Sequence, residues 1–357
     1  MRLVFVTRKV DRGDALTGFV FTWLAKLSAG FEKLYVICQE KGDTSGLPSN
    51  VEVHSFGKER GFGKLRQAVT LFALSFSLVR KTNGFFIHMH PIYAILAWLP
   101  AKIHGKKLVF WYTHKAVDLK LRLAHTLVDQ VLTASRESFR LPSKKVQVVG
   151  HGIDLSKFKN QNEKGKITNQ NSKFRIISIG RISPIKDYET LIKAIEILVN
   201  HQGVEDLEVE IYGKIGLPEH QAYLDSLVWF VHNADLEDLV KFQGELNYEY
   251  VQEAYREADL FVNLSGTGSI DKTVLEAAAC GTLVLTSNEA FQGPLQRIAA
   301  DLTFERNNAE DLAQKILRLK ALSDSQVQKI KTQLQKWVTA EHNLDNLVKK
   351  IKQEFSP

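Results

Sequence analysis

Residues 259–287 (DLFVNLSGTGSIDKTVLEAAACGTLVLTS) constrain the fold more tightly than any other stretch of the chain. An apolar run containing the β-branched Val262 stops at Gly266, Thr267, Gly268 and Ser269, which carry almost no side chain to block close approach of another molecule. Good helix formers follow from Lys272 to Cys280, and Gly281 stands where a helix end often needs positive φ. A second apolar run closes the pattern, so the stretch reads as strand, glycine turn, helix, strand. A turn of this kind offers free backbone N–H groups and the positive end of a helix dipole, which makes it an anion site, most often for phosphate. Glu276, within the helix, is placed to accept two hydrogen bonds from the vicinal hydroxyls of a ribose. A solvated helix glutamate fits the same spacing.

At 357 residues the chain has the length of two domains. Short runs rich in Val, Ile and Phe at 2–9, 34–39, 51–57, 85–90, 108–114, 130–135 and 145–150 are separated by helical patterns at 17–29, 64–81, 93–104 and 117–128. Residues 157–173 are polar and aperiodic and read as a linker. The alternation then restarts, with strands at 174–180, 207–213, 239–244, 259–264 and 283–287 and helices at 187–200, 217–234, 248–258 and 309–322. The expected fold is α/β, with two Rossmann-like, doubly wound parallel-sheet domains at 1–157 and 174–335 joined by a linker at 158–173. The tail is helical and charged, and its last part, 336–357, is expected to cross back over the first domain as a brace. Open α/β sheets bind ligands at the carboxyl ends of their strands, so the site is expected in a cleft between the two domains.

The net charge of +7 conceals an asymmetry: residues 1–160 hold 25 basic and 11 acidic side chains, the remainder 22 and 29. A basic first half suggests an anionic partner. Residues 56–81 combine Lys58, Arg60, Lys64, Arg66, Arg80 and Lys81 with an apolar helix, which reads as a peripheral contact with anionic membrane and a lipid-linked acceptor. An ordinary core helix with cations at its ends fits the same pattern. Nucleic acid is not expected, because the basic residues are not interleaved with stacking aromatics. The two cysteines, Cys38 and Cys280, lie in buried patterns and argue for a reducing compartment without disulfides. The chain begins as a strand, and its longest apolar segment, 68–79, is too short to span a bilayer. A cytoplasmic protein, peripheral at the inner face of the membrane, is the expectation.

Other candidate residues stand at strand ends. Gly180 ends the first strand of the second domain, and Arg181 and Lys186 follow it on one loop, a pair of cations suited to a diphosphate. His114 ends the strand LVFWYTH of the first domain. His88 and His90 end the preceding strand, but no carboxylate or cysteine stands at ligand spacing beside them, so no metal is expected. His151, Gly152, Ile153 and Asp154 close the first domain, with His151 as a cap of that turn. Gly13 and Gly18 flank the first strand–helix turn at a spacing unlike a dinucleotide fingerprint.

Together, GR-x4-K at 180–186, HGID at 151–154, LEAAACG at 275–281 and the two-domain layout resemble a retaining glycosyltransferase of family 4 with the GT-B fold. The resemblance implies that Arg181 and Lys186 hold the diphosphate of a nucleoside-diphosphate sugar, the co-substrate, with no separate cofactor. Glu276 matches the second glutamate of the family's E-x7-E motif, which binds the ribose. It further implies that Gly213, Gly244 and Leu246 border the nucleotide, that Gly268, Ser269, Ile270, Asp271 and Thr273 meet the sugar and phosphate, and that Gly13, Gly18, His90, His114 and His151 line the acceptor and sugar pocket. His114, Arg181 and Lys186 become the catalytic set. This chain departs from the family at Gly268, where the motif's first glutamate would stand, and Asp271 is the replacement available for a sugar hydroxyl.

Three other readings use the same residues. The turn 266–271 with Glu289 mimics a dinucleotide fingerprint and would suit a nicotinamide-dependent oxidoreductase, although Asp271 occupies the position of its third small residue. Gly268 would also fit a non-catalytic sugar-nucleotide-binding protein. An epimerase of the same fold would interconvert a sugar nucleotide without an acceptor.

Overall fold

The computed structural model describes residues 1–14, 17–158, 173–247, 249–266 and 268–356, so most of the expected linker lies outside the described residues. The chain forms two compact units, residues 1–154 with 342–357 and residues 155–341.

The first unit is built on seven parallel strands: β1 (Arg2–Val10), β2 (Lys33–Lys41), β3 (Val51–Ser55), β4 (Gly84–His88), β5 (Lys107–Trp111), β6 (Gln130–Thr133) and β7 (Val146–Val148). Their order is β3-β2-β1-β4-β5-β6-β7. Every residue of β4 is buried, as are the last four of β5, which is why these strands read as unbroken apolar runs: helices cover both faces. Those helices are α1 (Gly18–Ser28), α2 (Lys64–Leu78), α3 (Pro91–Ile103) and α4 (Leu119–Leu127).

The second unit carries β8 (Phe174–Ile179), β9 (Leu207–Tyr212), β10 (Val240–Gly244), β11 (Leu260–Asn263) and β12 (Leu283–Thr286), all parallel, in the order β10-β9-β8-β11-β12. Its helices are α5 (Tyr188–Glu196), α6 (Gln221–Asn233), α7 (Val251–Glu257), α8 (Lys272–Cys280), α9 (Glu289–Ile298), α10 (Ala309–Lys320) and α11 (Asp324–Glu341). Helix α9 has no counterpart in the sequence reading, because Gly293 and Pro294 interrupt its apolar pattern. Asn288 starts it nonetheless, accepting a hydrogen bond from the Ala290 N–H.

The tail differs from a single crossing helix. It breaks at His342 and Asn343. Asn343 then caps α12 (Leu344–Phe355), which belongs to the first unit and packs against α1. Leu344, Leu347, Ile351 and Phe355 are buried there, and Lys350 donates to the Val149 carbonyl at 3.1 Å. The HGID segment is the other half of this seam. The Ile153 N–H donates to the His342 carbonyl at 2.6 Å, Leu344 N–H to the Ile153 carbonyl at 2.9 Å, and the His151 N–H to His342 Nδ1 at 3.1 Å.

That last bond requires a neutral His342. Burial, aided by Lys350, lowers its imidazole to about 4. An unfolded histidine titrates near pH ~6.5, so between about 6.5 and 4 the unfolded chain binds the extra proton and stability falls as pH falls. Replacing His342→Asn keeps a side-chain acceptor for the His151 N–H and removes the titration. Melting temperature measured from pH 7 to 4 should therefore fall less steeply for His342→Asn than for the native chain, and parallel curves would dismiss this residue as the source of the slope.

Candidate functional site

Each sheet reverses its order once, between β1 and β4 and between β8 and β11, and the loops leaving such a reversal diverge to leave a crevice. In the second unit these two loops are the ones with the most distinctive sequence, 180–187 after β8 and 264–271 after β11. The structure joins them by direct bonds. Gly266 N–H donates to the Ile185 carbonyl at 3.1 Å, and Lys186 Nζ pairs with Asp271 Oδ2 at 2.6 Å.

Asp271 is the hub of this junction. Its Oδ2 also accepts from Asn263 Nδ2 at 3.2 Å, while Oδ1 accepts from Thr273 Oγ1 at 3.0 Å and caps α8 through the Thr273 N–H. Burial pushes the carboxyl up, but the Lys186 charge and the bonds from Lys186, Thr273 and Asn263 outweigh it and hold the group at about 2. The carboxylate expected to replace the missing glutamate at a sugar hydroxyl is thus already committed within the protein. Next to it, burial pulls the Lys272 ammonium well below its ordinary value, against the opposing pull of Glu276 and Asp271. Glu276 is buried on α8.

The strand ends around Lys186 approach one another closely. A Cβ at Gly213 would overlap the Gly180 carbonyl, so β8 and β9 meet there only because residue 213 has no side chain. Gly213 N–H in turn donates to the Gly244 carbonyl at 2.7 Å, and Tyr188 Oη donates to the Gly180 carbonyl at 3.0 Å. Gly180, Gly213 and Gly244 therefore form one rim at the carboxyl edge of the sheet. Arg181 is exposed on that rim, and Leu246 is half-buried beyond it. Across the reversal, Asn288 Nδ2 donates to the Ser269 carbonyl at 2.8 Å, which pins the glycine turn, and Ile270 is buried beneath.

In the first unit, at the β1/β4 reversal, Gly13 lies on the loop leaving β1, Gly18 opens α1, and His90 stands between β4 and α3. The β1 loop is held by charge: Lys9 Nζ lies 2.7 Å from Asp14, 3.1 Å from Asp11 and 3.3 Å from Glu40. His90 is half-buried, and burial and the nearby Arg8 lower its imidazole. His114 follows β5 and is exposed, its Nδ1 accepting from the Ala116 N–H at 3.1 Å. His88 and His151 are both buried. His88 is buried beside Phe5, Phe19 and Trp23 and bonds Thr7, and His151 is buried near Trp111. Among the described residues no group of three or more His, Cys, Asp or Glu is gathered to hold a metal ion.

Sequence reasoning missed Asn263, Asn288 and Arg306. The two asparagines carried a faint signal, since each is a polar residue at or just past the end of an apolar strand. Arg306 carried none. It follows the residue pairing Thr286 with Thr303 at the sheet edge, and its guanidinium rests against Gly266, where a Cβ would collide with it.

The sequence pattern of the family described as glycosyl transferases group 1 matches residues 159–337, half of the chain. Among curated proteins, mannosylfructose-phosphate synthase of Agrobacterium fabrum is 24% identical over 217 residues, 55% of this chain and 47% of that protein. A D-inositol 3-phosphate glycosyltransferase of Paenarthrobacter aurescens is 29% identical over 163 residues, 44% of this chain and 38% of that one. The chain thus spans less than half the length of these curated relatives. Among solved structures, HepE of Anabaena in complex with UDP and glucose has a TM-score of 0.76 at 17% identity, covering 98% of both chains. Sucrose-phosphate synthase of Thermosynechococcus elongatus has a TM-score of 0.70 at 14% identity, covering 99% of this chain and 97% of that one. These neighbours share the fold, two Rossmann-like parallel-sheet units of the GT-B class. The family match takes in every second-unit residue of the site from Gly180 to Arg306, and the chain belongs to the glycosyl transferases group 1.

Proposed function

We propose that this protein is a retaining, metal-independent glycosyltransferase that moves a hexose-type sugar from a nucleoside-diphosphate sugar to an acceptor hydroxyl in glycan or glycolipid assembly. The observation that carries this reading is the junction at the β8/β11 reversal, where Lys186, the Gly266 turn and the start of α8 are bonded together beside the exposed Arg181. A departing diphosphate gains charge as its bond to the anomeric carbon lengthens, and cations and helix N–H groups fixed in advance stabilise that charge. In the proposed step the anomeric C–O bond to phosphate breaks while the acceptor oxygen bonds the same carbon on the same face. The acceptor proton passes to the leaving phosphate oxygen, so no protein nucleophile is needed. Glu276 would hold the ribose and His114 would line the sugar pocket. The names of the relatives, a glycosyltransferase and a sugar-phosphate synthase, and the UDP and glucose in complex with HepE support this choice of substrates.

The first unit supports a place at an anionic membrane surface. No acidic residue occurs between Glu59 and Asp118, a span that includes all of α2 and α3. Helix α4 has none either, and α3 contacts both α2 and α4. These helices expose Leu65, Val69, Phe76, Leu99, Ile103, Leu119 and Leu123, with Lys64, Arg66, Lys102, Lys120 and Arg122 exposed among them. Apolar side chains amid cations suit the boundary of an anionic bilayer. Among the described residues no helix is long and apolar enough to cross a membrane.

A non-catalytic sugar-nucleotide binder is the second reading, favoured by the side-chain-free Gly268 and the committed Asp271. Transfer or donor hydrolysis by purified protein separates the two.

In a thermal-shift screen of nucleoside diphosphates and their sugars, the native chain should respond to at least one. Arg181→Ala should weaken that response roughly tenfold or more, as loss of a charge-assisted phosphate contact does, and an undiminished response would remove the phosphate site. An α-configured donor should yield an α-linked product by NMR, at a rate unaffected by EDTA, whereas a β-linked product would exclude retention. Flotation should recover the protein with phosphatidylglycerol-containing vesicles and not with phosphatidylcholine alone. Changing both Leu65 and Leu119 to Glu should abolish that recovery. Equal recovery from the two vesicle types would count against the membrane contact.

A further inference from the structure

Lys186 does not face the donor site as an isolated cation. Its ammonium and the Asp271 carboxylate are a close, largely buried pair, with side chains 13% and 15% exposed. The carboxylate stays ionised at any physiological pH, since its surroundings hold it at about 2. Taken together the two groups bring almost no net charge to the mouth of α8, and the carboxylate alone opposes any phosphate placed there. A site that must hold a diphosphate needs positive charge from elsewhere.

Arg306 is positioned to supply it. The residue comes from the sheet edge, beyond the Thr286–Thr303 bridge, and reaches the glycine turn, with its guanidinium against the Cα of Gly266. Gly266 is also the residue whose N–H bonds the Ile185 carbonyl, so Arg306 sits where the β8 and β11 loops meet. It is exposed, and its influence on the nearest part of the β8 loop is slight: burial keeps the Asp187 carboxyl raised despite the Arg306 charge. Gly266 has to be glycine for this approach, because any side chain there would displace the guanidinium.

We propose that Arg306 is a third cation of the donor site, a direct ligand of the diphosphate that offsets the charge of Asp271, while Asp271 acts as a positioning residue for Lys186 and α8. The proposal rests on the assignment of the β8/β11 junction to a nucleoside diphosphate. A planar guanidinium suits two phosphate oxygens at once, which an ammonium cannot match.

The test measures dissociation constants for UDP and for inorganic pyrophosphate, using the native chain and the variants Arg306→Gln, Arg306→Lys and Arg181→Ala. Arg306→Gln should weaken both probes about tenfold or more, the usual effect of losing a charge-assisted bond. Arg306→Lys should recover part of the loss. The melting temperature without ligand should stay at the native value, because the side chain is exposed. In an Asp271→Asn background, with the opposing charge gone, the penalty of Arg306→Gln should shrink to about threefold or less. Binding by Arg306→Gln within twofold of native, with Arg181→Ala impaired, would overturn the role of Arg306 and leave the site standing. A lowered melting temperature with unchanged affinity would assign Arg306 to packing and overturn the proposal as well. If neither Arg306→Gln nor Arg181→Ala alters binding, the donor-site assignment itself fails.

Discussion

The pairing of Lys186 with Asp271 is the constraint on which the second unit's site depends. It ties the loop after β8 to the first turn of α8, across the point where the strand order reverses. Removing one member of such a buried pair leaves the other charge without compensation and costs about 3–5 kcal/mol. The pair persists because its remaining valences are filled. Thr273 and Asn263 satisfy the carboxylate, and Thr286 Oγ1 donates to Asn263 Oδ1 at 3.0 Å, which fixes the amide's orientation. A chain of hydrogen bonds therefore runs from β12 through β11 to the β8 loop.

Gly268 leaves the β11 loop without the carboxylate of the family motif's first glutamate. The chain has instead put its acidic group three residues on, at the helix cap, where it organises a cation and α8 together. The first unit handles its own reversal differently. Around Lys9 three carboxylates converge, led by the bond to Asp14, and together they raise the ammonium far above its ordinary range.

The two-sheet architecture was legible from the sequence because parallel strands buried on both faces leave unbroken apolar runs, as in FFIH and LVFW. The turn after β11 and helix α8 were legible because backbone geometry there demands particular residue types. The partnership of Lys186 with Asp271 was not, since it joins residues 85 positions apart and neither has a local reason to seek the other. The same holds for His342, which reaches back to His151 over 191 positions. Helix α9 was hidden by Gly293 and Pro294, although its cap at Asn288 was a usable signal. His88 and His151 sit against Trp23 and Trp111, aromatic partners far off in sequence that no local pattern announces.

The placement of α12 has a consequence for biosynthesis. Residues 155–341 are continuous in sequence, whereas the first unit needs residues 342–357 to cover α1 and seat Leu347, Ile351 and Phe355. Domains on a ribosome ordinarily fold in the order they emerge. Here residues 155–341 can fold first, while the unit begun before them keeps the apolar face of α1 open until α12 has been synthesised. A nascent chain thus leaves the α1 face uncovered for as long as the ribosome takes to pass from residue 154 to α12.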